Sequence, residues 1–451
     1  MSQGRFDVIV VGAGTAGSYA AYLLAKSGLK VALIERKPKE KIGEKVCGDA
    51  IGKHHFDNLK LSYPSGDELD GVFKGVKVYS PDEKFSIIVE GEGFAVNRYS
   101  FGQRLLKMAL NSGAELYDKT HVIEPIVRNG FVKGVAAINL DSSSREVFEG
   151  EIVIDASGVA SVVRTKLPED WWISERIAPE DTNACYREIV ETKDELDSTY
   201  AIIYLSKKIA PGGYWWFFPK SKHIANVGLG VQPIENAPNP INQYKIFIKV
   251  RRELKGSRKI HAGGGVVPTR RPLDCPVANG LLAIGDSAYT CNPIHGGGIG
   301  PSMVSAKCAA ETILNALENY NEPTINALWP YPIKYIERYG AKQAPLDIFR
   351  MFLQRLSDDD LNFAFRRKVI TGEEVNWVGS SGELKLSVER KLSKALRLIS
   401  RPTLLYRLKT VRDYMEKIKA LYSNYPEDPS NFIKWRAKVN ALISDYLRKI
   451  R

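Results

Sequence analysis

An α/β domain of Rossmann-like type, interleaved with an antiparallel β-sheet domain (α+β) and followed by a C-terminal helical region, is the architecture that this 451-residue sequence predicts. Three observations predict it. Residues 6–35 run as an apolar strand, a glycine-marked turn, a helix and a second strand, the pattern of α/β proteins. Residues 182–267 change to strands alternating in Val, Ile, Tyr and Phe, as in "HIANVGLGVQ", the mark of half-buried antiparallel sheet. After about residue 315 the pattern is helical, and "WPYP" at residues 329–332 is a natural break because two prolines interrupt a regular element. The expected division is discontinuous: residues 1–75, 98–165 and 270–330 form the α/β domain, 76–97 and 166–269 the sheet domain, and 331–451 a basic helical domain.

Composition sets the class of protein. With 44% hydrophobic residues the chain has enough apolar surface for two or three buried cores. Its five cysteines, Cys47, Cys185, Cys275, Cys291 and Cys308, are scattered and form no CxxC pair. Neither a disulfide framework nor a metal site is expected, and a reducing, cytoplasmic location is. The N-terminal "MSQGRFD" enters a strand without the basic and apolar regions of a signal peptide. Residues 8–25 carry no charge and approach the length of a membrane helix. Their glycine spacing and the following strand "VALIE" favour a soluble strand, turn, helix and strand instead.

The net charge of +12 is uneven, with 17 Lys and Arg against 7 Asp and Glu in residues 381–451. Basic helical stretches there, "RKLSKALRLI" and "YRLKTVRDYMEKIKALY", together with Trp435, suggest an anionic membrane surface as partner. A solvated helical cover over the core is the alternative. No nucleic-acid module accompanies the charge, so nucleic acid is not an expected partner.

The stretch "VIVVGAGTAGSYAAYLLAKSGLKVALIER" meets each physical requirement of a dinucleotide fingerprint. Gly12 permits the tight turn, Gly14 lets the backbone approach a pyrophosphate, and Gly17 lets the helix pack on the strand, with Ala16 between them. Free N–H groups and the dipole at the helix start favour the phosphates. Glu35, followed by Arg36, ends the second strand, where a carboxylate binds ribose hydroxyls and repels a 2′-phosphate. FAD or NAD fits this better than NADP. A second motif spans residues 280–313, in which a strand delivers Asp286 and glycines 296–298 open a long helix. Alone it would pass for an ordinary capped helix.

Taken together, "GAGTAG", "GDSAYTCNPIHGGGIG" and "DASGVASVVR" resemble the flavoprotein family that includes para-hydroxybenzoate hydroxylase, and within it the archaeal geranylgeranyl reductases. The resemblance covers about the first two thirds of the chain and implies FAD as cofactor. It implies that Glu35 binds the adenosine ribose, Arg98 lies along the pyrophosphate, Val122 contacts the adenine side and Asp286 binds the ribityl chain. Gly298 and Ile299 would present backbone N–H groups near the isoalloxazine, and Gly297 beside them would also bind the cofactor. The segment "GEKVCGDAIG" resembles the K-x-C-G segment of the reductases and so places Lys45, Cys47, Gly48 and Ala50 against the flavin. Where the hydroxylases carry Asp-Gly this chain has Ser157-Gly158, which leaves the electron donor open between NADPH and a ferredoxin-like carrier. An ordinary thiol has a pKa of about 8.5, so Cys47 is a candidate proton donor, with simple packing beside the ring as the alternative.

"PGGYWWFFP", residues 211–219, matches the reductases' PxxYxWxFP segment at Pro211, Tyr214, Trp216, Phe218 and Pro219. In a strand Tyr214, Trp216 and Phe218 share one face, and Trp215 and Phe217 the other. The first set is the expected lining of a channel for a long hydrocarbon chain. The implied activity is saturation of isolated C=C bonds in geranylgeranyl chains of archaeal ether-lipid precursors, digeranylgeranylglycerophospholipids or geranylgeranyl diphosphate, by hydride from flavin N5 and a proton. The implied location is cytoplasmic, peripheral on the inner face of the cell membrane. A flavin-dependent aromatic monooxygenase, and a non-catalytic flavin lipid-binding or electron-carrier protein, are the alternatives.

Overall fold

The computed structural model describes residues 2–369, 371–382 and 400–450. In strand β1 (Ser2–Val11) residues Val8, Ile9 and Val10 are buried whichever face they point to, which is the environment of an interior strand in a parallel sheet. It pairs in parallel with β2 (Val31–Ile34) on one side and β9 (Arg145–Asp155) on the other. Beyond these, β6 (Glu115–Tyr117) joins β2 and β16 (Leu281–Ala283) joins β9, both in parallel. The short β15 (Val277–Ala278) closes one edge antiparallel to β16. An antiparallel extension of β7 (Thr120–Arg128) and β8 (Phe131–Asn139) continues from the first half of β9.

Helix α1 (Thr15–Lys26) follows the β1 turn and buries Tyr19, Ala20, Ala21 and Leu24 on the parallel sheet. Residues 8–25 are thus strand and helix of a layered domain, and no described helix is long and apolar enough to cross a membrane. Helix α3 (Arg98–Asn111) comes later in the chain, after the short α2 (His54–Leu59). It starts at Asn97, whose side chain accepts the N–H groups of Tyr99 and Ser100, a cap worth about 1 kcal/mol. That cap fixes Arg98 at the first turn.

The second sheet runs in the order β14, β10, β13, β12, β11, β4, β5, β3, with β3 (Ala50–Gly52), β4 (Leu69–Tyr79), β5 (Ser86–Val96), β10 (Thr182–Glu191), β11 (Tyr200–Tyr204), β12 (Trp215–Pro219), β13 (Ile224–Val231) and β14 (Arg258–Pro268). Its pairs are antiparallel except β4 with β11, which are parallel. Strand β3 and the start of β4 precede residue 76 and pair within this sheet. The aromatic run is β12, in the sheet interior, and its alternation is as expected. Trp215 and Phe217 face one core cluster with Val227 and Leu229, whereas Trp216 and Phe218 face another with Phe73, Ala95 and Ala201. Trp215 stacks on Tyr204 at 3.8 Å between ring centroids, with the Arg251 guanidinium 4.7 Å from the Trp215 ring centre; such contacts add about 0.5–1.5 kcal/mol beyond area burial.

The C-terminal helices Pro402–Ser423 and Phe432–Lys449 bury Val411, Met415, Ile418, Tyr422, Trp435 and Val439 in the same core cluster as β1 and α1. The Tyr422 hydroxyl donates to Asp274 Oδ1 at 2.9 Å, Tyr425 to the Asp274 carbonyl at 2.7 Å, and the Trp329 indole to the Pro426 carbonyl at 2.8 Å. One side of each helix therefore covers the α/β domain. The basic stretch "RKLSKALRLI" lies outside the described residues.

Candidate active site

Three turns meet at the C-terminal edge of the parallel strands, after β1, β9 and β16, where open α/β sheets bind ligands. At the first, Gly12 has φ +102°, and a Cβ there would lie 2.7 Å from the Ala156 carbonyl oxygen. A Cβ on Gly17 would sit 1.8 Å from the Gly12 oxygen, so only glycine lets α1 approach the strand end. Around Gly14 no atom lies within 4 Å of the same position, leaving an open approach to the helix start. Ala16 is buried against Gly285 of the third turn.

Glu35 closes this end of the site. Its carboxylate accepts the Ala13 N–H at 2.8 Å and the Lys37 N–H at 3.0 Å, which fixes it beside the glycine turn. Arg36 next to it is exposed. The Val122 side chain is buried in the core, so only its backbone is available to a ligand. Arg98 reaches across from α3, and its Nη2 donates to the Thr15 hydroxyl at 2.9 Å. Its Nε and Nη1 are buried and have no partner among the described residues. A buried guanidinium with unmet donors, beside a helix N-terminus and an open approach, fits a bound pyrophosphate.

The other end is built from the third turn and the loop before β3. Lys45 Nζ lies 3.3 Å from Asp286 Oδ2, and that carboxylate raises the lysine pKa. A Cβ on Gly298 would be 3.3 Å from Asp286 Oδ1 and 3.4 Å from Cys291 Sγ. The Gly297 N–H is taken up by His295 Nδ1 at 3.1 Å, and Ile299 begins the helix Ile299–Asn319. The Tyr214 hydroxyl donates to the His295 carbonyl at 2.6 Å, which brings the aromatic strand to the glycine cluster. All five cysteines are unpaired, and Cys47 is half-buried.

The Cys47 loop is held onto the second sheet by a polar network that the sequence does not announce. Cys47 Sγ accepts the N–H of Asp49 at 3.3 Å, and Asp49 has φ +65°. The buried Asp49 carboxylate accepts from Lys220 at 2.9 Å and from Asn226 at 2.8 Å; Lys220 also bonds Asp70 at 2.6 Å. Asn226 donates to the Cys47 carbonyl at 2.7 Å and accepts the Trp216 indole N–H at 2.9 Å. Phe218 packs so closely that a Cβ on Gly48 would be 3.0 Å from its ring, and Ala50 enters β3. Trp216 and Phe218 are only 7% and 8% exposed, whereas Tyr214 keeps more open surface. Two of the three expected channel rings thus hold the loop. Asp49, Lys220, Asn226 and Thr15 are site residues that sequence reasoning missed, because their partners are distant in the chain.

His55 packs on the start of the long helix, where a Cβ on Gly300 would be 2.2 Å from its ring, and its ring centre lies 4.1 Å from that of His54, the planes tilted by 39°. Burial, then the charges of His54, Lys342 and His295, push its pKa well below the usual value; Asp57 pulls on His54 in the opposite direction. The unfolded chain takes up this proton near pH 6.5 and the folded chain does not, so stability is full above that pH and falls below it. Denaturant unfolding at about pH 7.5 and about pH 5.5 should show this as a slope of up to about 1.4 kcal/mol per pH unit. His54 and His295, lowered mainly by burial as well, add slope of the same sign, so His55→Gln should make the slope shallower without abolishing it, and unchanged slopes in the two proteins would refute the assignment.

The geranylgeranyl reductase catalytic domain family matches residues 181–267, the strands β10–β14, and the glucose inhibited division protein A family matches residues 7–63. The chain is 41% identical over 452 residues, 100% of both chains, to the digeranylgeranylglycerophospholipid reductase of Sulfolobus acidocaldarius. It belongs to the digeranylgeranylglycerophospholipid reductase family. The family member of Methanothrix thermoacetophila is 32% identical over 85% of this chain and 96% of its own. A geranylgeranyl bacteriochlorophyll reductase-like structure from Thermoplasma acidophilum aligns with a TM-score of 0.76 and 27% identity over 91% of this chain and 100% of that one. The myxobacterial FAD-dependent chondrochloren halogenase, at 16% identity and a TM-score of 0.60 over 88% of this chain and 97% of its own, shares the fold. The reductase is accordingly an FAD-dependent oxidoreductase, with the glycine turn, Glu35 and Arg98 fitting the dinucleotide.

Proposed function

We propose that this reductase saturates the isolated C=C bonds of geranylgeranyl chains on glycerophospholipid precursors of archaeal membrane lipids, and also accepts geranylgeranyl diphosphate. The observation that carries this is the pinning of the Cys47 loop to the aromatic strand at the isoalloxazine end of the site. When bound, reduced FAD supplies hydride from N5. Glu35 and Arg98 hold the adenosine and pyrophosphate, and Asp286 with Lys45 holds the ribityl side. Tyr214, with Trp216 and Phe218 behind it, gives the alkene an apolar wall that excludes water. Cys47 is tied to that wall through Asn226, which bonds both its carbonyl and the Trp216 indole, and its thiol delivers the proton to the second alkene carbon. An external donor, NADPH or a ferredoxin-like carrier, supplies electrons, and the enzyme works from the cytoplasmic side of an anionic membrane surface.

Dithionite-reduced protein, incubated without oxygen with a geranylgeranyl phospholipid, should yield products heavier by two hydrogens per bond in mass spectra. Oxygen-dependent NADPH consumption with a hydroxylated aromatic product would replace this reading by the monooxygenase. A protein that binds the lipid but leaves its mass unchanged would be a carrier.

Cys47→Ala should keep full flavin occupancy and lose about a hundredfold in turnover, the scale of general-acid catalysis. Cys47→Ser should recover part of that loss. Turnover within about twofold of the parent in the alanine variant reduces the thiol to packing.

A further inference from the structure

The helical turns Pro240–Gln243 and Tyr244–Ile248 lie on the outer face of the second sheet, the face away from the Cys47 loop. Tyr244 and Ile248 are buried there with Trp215, Val227 and Leu229. The opposite side of the same turns exposes large aliphatic side chains: Ile241 at 41%, Ile246 at 59% and Val250 at 72%, the highest exposure of any large hydrophobic among the described residues. Around them Lys245, Lys249, Arg252 and Lys255 are exposed. Residues 240–259 carry seven Lys and Arg against the single acid Glu253. Arg251 is the exception in direction, turned inward to Glu83 and the Trp215 ring, which leaves the other cations facing outward.

We propose that this face is the membrane-docking surface of the protein and that its partner is an anionic lipid bilayer. Aliphatic side chains ringed by lysines match the boundary between acyl chains and negative headgroups, where the apolar groups insert and the ammonium groups remain in the headgroup layer. A protein partner fits worse. Protein interfaces are depleted in Lys and enriched in aromatics, whereas this face presents Lys245, Lys249 and Lys255, with Phe247 half-buried beneath Lys208. The biological sense of the docking rests on the proposed lipid substrate; the surface itself does not.

Cosedimentation with phosphatidylglycerol vesicles, and with phosphatidylcholine vesicles as the neutral control, tests it. The parent should bind the anionic vesicles and lose affinity with added salt. The double variant Ile246→Asp/Val250→Asp should bind about tenfold or more weakly, and Lys245→Glu/Lys249→Glu should lose the preference for anionic lipid. Both should keep their flavin and reduce detergent-dispersed geranylgeranyl diphosphate at the parental rate. Failure of the parent to bind, or undiminished binding by the aspartate variant, overturns the proposal. So does loss of self-association in that variant without loss of vesicle binding, which would make the face an interface between copies. If no protein reduces the prenyl substrate while the vesicle difference persists, the docking surface stands and the reductase reading falls.

Discussion

Replacing Gly14 by Val leaves a folded protein that no longer holds flavin. A Cβ at Gly14 meets nothing within 4 Å, and the residue has extended backbone with φ −72°, so the folded chain accommodates a side chain there. The valine methyls instead occupy the open approach to the N-terminus of α1 and to the Arg98 N–H groups that have no partner among the described residues. Hydrogen bonds from charged or helix-terminal donors are worth about 1.5–3 kcal/mol each, and losing two or three of them weakens flavin binding by roughly a thousandfold or more. The absorbance ratio of flavin to protein and the thermal midpoint of the flavin-free form measure both halves of the expectation. Gly17→Ala is the contrasting variant. Its Cβ falls 1.8 Å from the Gly12 oxygen, so backbone must move and the fold itself loses about 3 kcal/mol or more. A Gly14→Val protein that purified fully yellow would remove the pyrophosphate from this turn.

The parts legible in the sequence are those whose cause is local. Gly12 and Gly17 announce a strand, turn and helix because one takes a positive φ and the other leaves no room for a Cβ beside the Gly12 oxygen, while Gly14, which the fold itself does not constrain, keeps the approach to the helix start open. The alternation of Tyr214 to Phe218 is legible for the same reason, since strand period alone decides the face. What the rings do on that face is not local. Trp216 meets Asn226 ten residues away, and Asn226 meets Cys47 and Asp49 across more than 170 residues, a pairing created by β3 joining the edge of the second sheet. The parallel pairing of β4 with β11 is hidden likewise, because each strand alone reads as part of a hairpin. The packing of the C-terminal region is not legible from its charge for a related reason. Net charge counts the outer sides of the helices, while Tyr422, Trp435 and Val439 on the inner sides fix their place over the core.

Asn226→Leu tests whether that long-range network positions Cys47. The substitution keeps the number and branching of the side-chain heavy atoms but leaves the Trp216 indole N–H and the Cys47 carbonyl without their partner, and leaves Asp49 bound through Oδ2 to Lys220 alone, its Oδ1 already without a partner among the described residues. A buried polar group stripped of its partner costs about 1–3 kcal/mol, so a loss of roughly 3–5 kcal/mol is expected in denaturant unfolding. Turnover should fall further than flavin affinity, since the contacts proposed for the dinucleotide at Gly14, Glu35 and Arg98 are untouched while the loop proposed to lie beside the isoalloxazine is released. Trp216→Phe separates anchoring from channel lining. If the indole is an anchor, that variant orphans Asn226 Oδ1, and the double variant Trp216→Phe/Asn226→Leu costs less than the two singles together, by a coupling of about 1–2 kcal/mol. Additive losses, or a Trp216→Phe protein of parental stability whose preference shifts from geranylgeranyl toward farnesyl substrates, would return the ring to the channel wall and leave the Cys47 loop to be held by Lys220, Asp49 and β3.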